Sequence, residues 1–340
     1  MSGSTLPYRL VIQLKELPDL LGIHFALPSP VLDPLVTVVI PCFNQARYLC
    51  DALRSVVNQR YTGIETIVVD DGSTDDSAEV AVAAGVTPIR QPNAGLSAAR
   101  NVGLAAARGE FVVFLDADDE LLPDAVASGV AMLTANPRLS CVVRRCRLID
   151  ARGRALPTTY PPVDTSDLYR QWLQHNFAWT PGAVMFRRSR IVEIGGFRDE
   201  IGPAADYAVY LALARDESVV YEPREVVRYR QHGSNMSSDP VVMLIATLGA
   251  LRRERPHLPK GARQHYRAGL RAWREFYGEQ IIERLRREWR MGIRGSWQKG
   301  AVVALARECP WVLATHLSRK ATRVIRRLPP AVIEPGAFHH

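Results

Sequence analysis

Phe111-Val112-Val113-Phe114-Leu115-Asp116-Ala117-Asp118-Asp119 runs five apolar residues straight into three carboxylates within four positions. An apolar run without alternation reads as a strand buried on both faces, as in a parallel sheet covered by helices. The same rhythm extends upstream. Val36–Ile40 reads as a buried strand stopped by Pro41, Ala46–Asn58 as a helix, Ile64–Val69 as a strand and Asp75–Ala84 as a helix. Val86–Ile89 follows as a strand and Leu96–Ala107 as an alanine-rich helix. Strand alternating with helix across short joins predicts an α/β fold with a mostly parallel sheet. Such sheets bind ligands outside the carboxyl ends of their strands. That singles out the loops Pro41–Asn44, Asp70–Ser73 and Asp116–Asp119. Downstream the rhythm loosens: Leu139–Ile149 and Ala183–Phe186 read as strands, Thr158–Asp164 as a loop, and Asp206–Ala214 as a helix. Val219–Tyr221 and Val226–Tyr229 read as two short strands.

The chain has 340 residues, 47% of them hydrophobic and 23% charged, which excludes wholesale disorder, collagen and coiled coil. Its net charge of +8 is unevenly spread. Residues 241–340 hold 20 Lys+Arg against 7 Asp+Glu, whereas residues 1–240 hold 23 against 28. Three regions follow: an N-terminal extension (1–35) with five prolines, an α/β body (36–240) and a basic, Arg-rich helical region (241–340). The five cysteines form no C-x-x-C pair, so neither a zinc ribbon nor a disulfide framework is expected and a reducing cytoplasm fits. The N-terminus lacks the basic stretch and apolar run of a signal peptide. The longest nearly apolar stretch, Val241–Leu251, is far short of the ~20 residues of a spanning helix. The expected location is cytoplasmic, including the inner face of the membrane.

The loops carry the chemistry. In Val68–Asp75, Asp71-Gly72 is a turn pair, and Ser73 and Asp75 suit helix capping. Asp70, at the edge of a central strand, is placed to accept hydrogen bonds from a ligand. Crowded carboxylates such as Asp116 and Asp118 cost free energy unless a cation neutralises them. Oxygen ligands of this type suit Mg²⁺ or Mn²⁺. Asp119 and Glu120 read equally well as a solvated turn. Gln91–Asn101 places a glycine turn before a helix, where backbone N–H groups meet an anion or Asn93 and Ser97 cap the helix.

Taken in order, V-V-I-P-C-F-N (Val38–Asn44), V-V-D-D-G-S-T-D (Val68–Asp75), P-N-A-G-L-S-A-A-R-N-V-G (Pro92–Gly103) and G-E-F-V-V-F-L-D-A-D-D (Gly109–Asp119) resemble the family-two glycosyltransferases of GT-A fold. Looser similarity runs through Gly195-Gly196-Phe197, Asp206 and Tyr229–His232. The resemblance implies a Rossmann-like GT-A domain and a nucleotide pocket formed by Pro41, Cys42, Phe43, Asn44, Asp70, Asn93, Arg100, Asp116 and Ala117. It implies Asp116 and Asp118 as metal ligands, joined by His232, with Mn²⁺ or Mg²⁺ as cofactor. It also implies Asp206 as catalytic base, although Ala205 stands where the family usually has the first acid of a pair. A helix N-cap is the bland alternative for Asp206.

These residues suit an inverting transfer of a sugar from a nucleotide sugar, a UDP-sugar first, to a hydroxyl of a glycan or lipid-linked acceptor. A carboxylate takes the hydroxyl proton and a cation stabilises the diphosphate. Two other readings stay open: a non-catalytic nucleotide-sugar-binding module, and a sugar nucleotidyltransferase, which the opening Pro-Cys-Phe-Asn loop disfavours. A processive synthase is disfavoured because no Q-x-x-R-W motif is present; Arg170-Gln171-Trp172 does not match it. Tyr160, Trp172, Phe177 and Trp179 are candidates for stacking on a sugar, or core. The basic region predicts contact with an anionic membrane surface, or a subdomain packed on the body. No nucleic-acid motif is found.

Overall fold

The structure, a computed structural model, describes residues 33–316 apart from 217, 234 and 294. Residues 1–32 of the N-terminal extension and Arg294, Arg323, Arg326 and Arg327 of the basic region thus lie outside the described residues. The chain alternates β1 (Val36–Cys42), α1 (Ala46–Val57), β2 (Ile64–Asp70), α2 (Ser77–Ala83), β3 (Ile89–Arg90), α3 (Leu96–Ala106) and β4 (Phe111–Phe114). The four strands pair in parallel in the order β3-β2-β1-β4, with Val36 opposite both Ile64 and Phe111. β1 and β4 are buried at every position, as their unbroken apolar runs require.

Pro41 does not stop β1, which continues through it to Cys42. Val39 O accepts from Leu115 on the β4 side and Cys42 O from Asp71 on the β2 side. Alternation turns the Pro41 nitrogen towards β4, whose pairing has ended at Val39, so the missing N–H costs no ladder bond. β3 is shorter than the expected Val86–Ile89, because Val86 N–H is spent on Ala81 O at the end of α2.

Beyond β4 the sheet becomes mixed. β7 (Val184–Arg187) joins antiparallel, followed by β6 (Cys141–Asp150), β8 (Val219–Gln231) and the short β5 (Glu120–Leu121). β8 is one strand of 13 residues, where two short ones are expected. The register against β6 slips between Tyr221 and Glu225, so Pro223 sits in a bulge where no ladder bond is needed.

Helices α4 (Ala125–Ala135), α5 (Leu168–Gln174), α6 (Arg188–Glu193) and α7 (Ala205–Ala214) cover this half. α8 (Pro240–Glu254) starts at Pro240, and Asp239 accepts from the N–H groups of Val241 and Val242. α9 (Arg263–Arg290) and α10 (Ser296–Glu308) follow. Ala246, Ala250 and Leu251 of α8 and Tyr266 of α9 join the core around β4, β6 and α7, while Leu244, Leu248, Ile281 and Leu305 form a separate, smaller cluster. Gly269 lets α9 touch α5: a Cβ there would overlap Leu173 O. Among the described residues, no helix is long and apolar enough to cross a membrane.

Several arginines of the basic region are tied to carboxylates. Arg252 and Arg274 reach Glu308 (2.6 and 3.5 Å), Arg253 reaches Glu200 (2.6 Å) and Arg284 reaches Glu288 (2.8 Å).

Candidate active site

The loop after β1 and the acidic loop after β2 hold each other. Asn44, the one non-glycine residue with positive φ (53°) among those described, accepts from Thr74 N–H (2.8 Å). The N–H groups of Asn44, Gln45 and Ala46, left open at the start of α1, donate to Ser73, Ser77 and Asp75, each at 3.0 Å. Ser73 and Asp75 thus cap across to α1, and Asp75 alone also accepts locally, from Ser77. Asp71 is buried and clamps the next loop, accepting from Gln91 Nε2, Ala94 N–H and Gly95 N–H (2.6–2.9 Å).

A cavity of about 500 Å³ opens at these strand ends. Its wall includes Pro41, Cys42, Phe43, Asn93, Arg100, Asp116, Ala117, Asp118 and Asp206, as the motifs imply. It does not include Asn44 or Asp70. Asp70 is 1% exposed, accepts from Ser73 N–H (2.9 Å) and pairs with Arg90 (3.0 Å), leaving its neighbour Asp71 on the wall. Burial pushes the Cys42 thiol up to about 11, so it stays protonated.

Arg100 and Asp116 meet at 2.7 Å beneath the cavity. Burial opposes the charge on Arg100, but Asp116 and Asp206 outweigh it and hold the guanidinium above its ordinary range. Its Cζ lies over the Phe197 ring, 5.1 Å from the ring centroid. Phe197 is fixed in turn by Asn101, which donates to its carbonyl (2.7 Å) and accepts from its N–H (2.9 Å). Gly196, at φ 69°, is required beside it, since a Cβ would overlap Asn101 Oδ1.

Asp118 Oδ2 lies 2.8 Å from His232 Nε2, and the imidazole stacks on Tyr48 at 5.0 Å. Burial, then the charge of Asp116, raises the Asp118 carboxyl, with His232 offsetting part of it. Asp119 is fully buried rather than solvated. It accepts from Thr180 Oγ1 and Arg230 N–H (both 2.9 Å), and burial with Asp118 and Asp116 holds it well above the carboxylate range. Arg230, 2% exposed, ties the loop to β8 by donating to Asp118 O (2.8 Å) and Glu120 (2.5 Å). Among the described residues, no three His, Cys, Asp or Glu side chains form a ready-made metal cluster. The oxygen donors nonetheless fit a hard divalent cation: Asp116 and Asp118 both face the cavity, and burial with the charge of Asp116 keeps the Asp118 carboxyl above its ordinary range, which a cation would relieve.

Asp206 is in the first turn of α7, one residue past its start, and makes no capping bond across the turn. Its Oδ1 accepts only from Tyr207 N–H (2.7 Å) among the bonds described. Burial pushes its carboxyl up to about 6, against the pull of Arg100. Asp199 and Glu200, the nearest acids before it in the sequence, are exposed and absent from the wall, and Glu200 is paired with Arg253.

The model of the glycosyl transferase family 2 matches residues 37–195 of this chain. An uncharacterized glycosyltransferase of Haemophilus influenzae is 37% identical over 202 residues, which is 55% of this chain and 76% of that protein. The chain belongs to glycosyl transferase family 2. Chondroitin synthase of Escherichia coli is 31% identical over 211 residues, covering 60% of this chain but 30% of the synthase, so this chain spans under a third of that relative. Two solved structures share the fold. S. aureus TarS 1-349 in complex with UDP-GlcNAc has a TM-score of 0.56 at 18% identity, covering 80% of this chain and 79% of that one. The mannosyltransferase PcManGT from Pyrobaculum calidifontis, with GDP-Man and Mn²⁺, has a TM-score of 0.56 at 20% identity, covering 87% and 82%. The fold of this family-2 chain is therefore GT-A, carrying C-terminal helices beyond the matched residues.

Those helices hold what the sequence reading missed. Met243 and Thr247 of α8 and Trp273 and Tyr277 of α9 line the same cavity, as do Asn235, Met236 and Ser237 after His232. In sequence the region of α8 and α9 reads only as basic and helical, on a membrane or packed on the body, with none of its residues assigned to the site. Of the stacking candidates, Trp179 reaches the wall, whereas Trp172 and Phe177 stack on each other in the core (4.4 Å). Tyr160 donates to Cys146 O and Glu225 (both 2.7 Å).

Proposed function

We propose that the protein transfers a sugar from a nucleotide-sugar donor, a UDP-sugar first, to a hydroxyl of a glycan or lipid-linked acceptor, non-processively and with inversion. The observation that carries this is Asp206. It shares one cavity with the acidic loop, its carboxylate is engaged by a single backbone N–H, and its titration near pH 6 suits a general base. The UDP-GlcNAc and GDP-Man seen with the two solved GT-A proteins support the donor class. The missing Q-x-x-R-W sequence supports single rather than processive addition.

In this reading residues 36–240 form the catalytic domain, and Pro41, Phe43, Asn93, Arg100 and Ala117 flank the nucleotide. Asp118 would hold a divalent cation, Mn²⁺ or Mg²⁺, with Asp116 and His232. Bound there, the ion would offset the charge of the leaving diphosphate. Asp206 accepts the acceptor's proton as its oxygen attacks the anomeric carbon, and the bond from that carbon to the diphosphate oxygen breaks. One carboxylate on the face opposite the leaving group gives single displacement, hence inversion. Arg100 pairs with Asp116 and pulls the Asp206 carboxyl down against the larger effect of burial.

We also propose peripheral association with the cytoplasmic face of an anionic membrane. Its support is the exposed group Trp289, Met291 and Ile293 at the end of α9, next to Arg286, Arg287 and Arg290.

The test is release of free nucleotide from a panel of UDP-, GDP- and TDP-sugars with Mn²⁺, with and without glycan acceptors. Acceptor-stimulated release is expected with one donor class. Tight donor binding without release across the panel would leave a nucleotide-sugar-binding module.

A further inference from the structure

We infer that the end of the cavity beyond Asp206 is a stacking site for a neutral pyranose ring, built by the C-terminal helices. The inference rests on the proposed transfer reaction and names the class of acceptor. α9 presents Trp273 and Tyr277, four residues apart on one face, and α8 presents Met243 and Thr247 at the same spacing. None of the four falls within residues 37–195, so this wall is a property of this chain rather than of the matched region.

The aromatic groups are held in place by one another. The Trp273 and Tyr277 rings stack at 5.5 Å and 14°, and Tyr207, the residue after Asp206, meets Trp273 edge-on at 6.0 Å and 66°. Tyr207 is anchored by its hydroxyl to Trp172 O, and Gly269 brings α9 against α5 one helical turn before Trp273. Trp273 is partly exposed while Tyr277 is buried, so the indole is the group left for a ligand. A rigid indole wall suits the C–H face of a sugar ring, and it costs little side-chain entropy on binding.

The polar lining fixes the chemical class further. Asn176, Ser237 and Thr247 line the cavity with amide and hydroxyl groups that can meet a rim of hydroxyls, while the Asn235 amide is spent on His232 N–H and Arg230 O. Among the described residues, the cavity wall carries one cationic side chain, Arg100, and Asp116 already engages it. A phosphate or carboxylate on the acceptor would find no partner here and would face Asp206. A neutral sugar pays no such cost and can turn a hydroxyl to that carboxylate.

The full chain, saturated with UDP and Mn²⁺, is titrated with methyl glycosides of glucose, galactose, mannose and N-acetylglucosamine. Glucose 6-phosphate and methyl glucuronide serve as anionic counterparts. Saturation-transfer NMR and indole fluorescence report binding. At least one neutral pyranoside should bind, more tightly than either anion. Trp273→Leu, which fills the space without an aromatic face, should weaken it about tenfold, and Trp273→Phe should retain most of the affinity. UDP and UDP-sugar affinities should stay unchanged in both variants. Tighter binding of the anionic sugars, an unchanged Trp273→Leu, or no neutral pyranoside bound by the wild type would overturn the inference. So would weakened UDP-sugar binding with intact UDP binding, which would assign the indole to the donor. Failure of the wild type to bind UDP at all would instead strike the proposed reaction.

Discussion

Arg100 Nη2 donates to Asp116 Oδ1 across 2.7 Å, and its side chain is only 4% exposed while Asp116 is 24% exposed. One buried cation therefore supports two cavity carboxylates, Asp116 directly and Asp206 through space.

Removing that cation should be costly. Arg100→Met would leave Asp116 without its partner in a partly desolvated site, and losses of about 3–5 kcal/mol accompany the breaking of buried pairs. Arg100→Lys keeps the charge but not the planar fork, so it should lose less. Urea denaturation of the three proteins checks the order; a fully stable Arg100→Met would mean that Asp116 is solvated enough to stand alone.

Asp206→Asn should separate stability from activity. Turnover should fall by roughly 10²–10⁴ with donor affinity near wild type. In the wild type, kcat/KM should drop about tenfold per pH unit below about 6, where Asp206 takes up a proton. The stability effect has the opposite sign. A carboxyl raised from 3.8 to about 6 stabilises the fold most below pH 3.8, and that contribution is lost as pH rises through 6. At pH 7.5 the asparagine variant should thus gain stability, by at most about 3 kcal/mol. A variant of normal turnover would move the base elsewhere, and one that loses stability at pH 7.5 would show that Arg100 depends on the Asp206 charge.

How much of this was legible follows from which contacts are local. β1 and β4 are covered on both faces, so their apolar runs identify them and their ends locate the carboxylates. Asp116, Asp118 and Asp206 reach one cavity although 88 residues separate Asp118 from Asp206. In Asp70-Asp71 the motif is plain but its facing is not: adjacent residues at a strand end point opposite ways, and Asp70 is taken up by Ser73 N–H and Arg90 rather than by the cavity. Asp119 resembles a solvated turn until Thr180 and Arg230 arrive from 61 and 111 residues away. The contribution of Trp273 was hidden for the same reason. Its helix advertises a buried stripe, and only the close approach at Gly269 directs that stripe to the cavity.

Removing the metal should silence the enzyme. A chelator should abolish nucleotide release, and Asp118→Ala should do the same while weakening UDP binding, since Asp116 is held by Arg100 and cannot replace it. Asp118→Ala should also remove the 2.8 Å contact to His232, visible as shifted imidazole resonances by NMR. Full activity in excess chelator would refute metal dependence and leave Arg100 as the positive charge at the diphosphate.

The end of α9 supplies the last test. Trp289 and Met291 are each 66% exposed and Ile293 is 46% exposed, on the turn between α9 and α10. Arg286, Arg287 and Arg290 are exposed in the same stretch and form no ion pair with a carboxylate among the described residues, although Arg286 meets His316 (2.8 Å) and Arg290 donates to Arg286 O. Arg252, Arg253 and Arg274 are paired with Glu308 and Glu200. Membrane contact should therefore centre on this turn rather than spread along the whole basic region. Each arginine near an anionic surface contributes about 1 kcal/mol, and the apolar tip adds burial in the interface. The full chain should co-sediment with vesicles containing phosphatidylglycerol at low salt and be released as salt rises, while neutral vesicles should leave it in solution. A triple Trp289→Ser, Met291→Ser, Ile293→Ser variant should lose most of this binding and keep the wild-type melting temperature, because these side chains lie outside the core. Unchanged sedimentation of that variant, or none by the wild type, would reject the turn as a membrane contact.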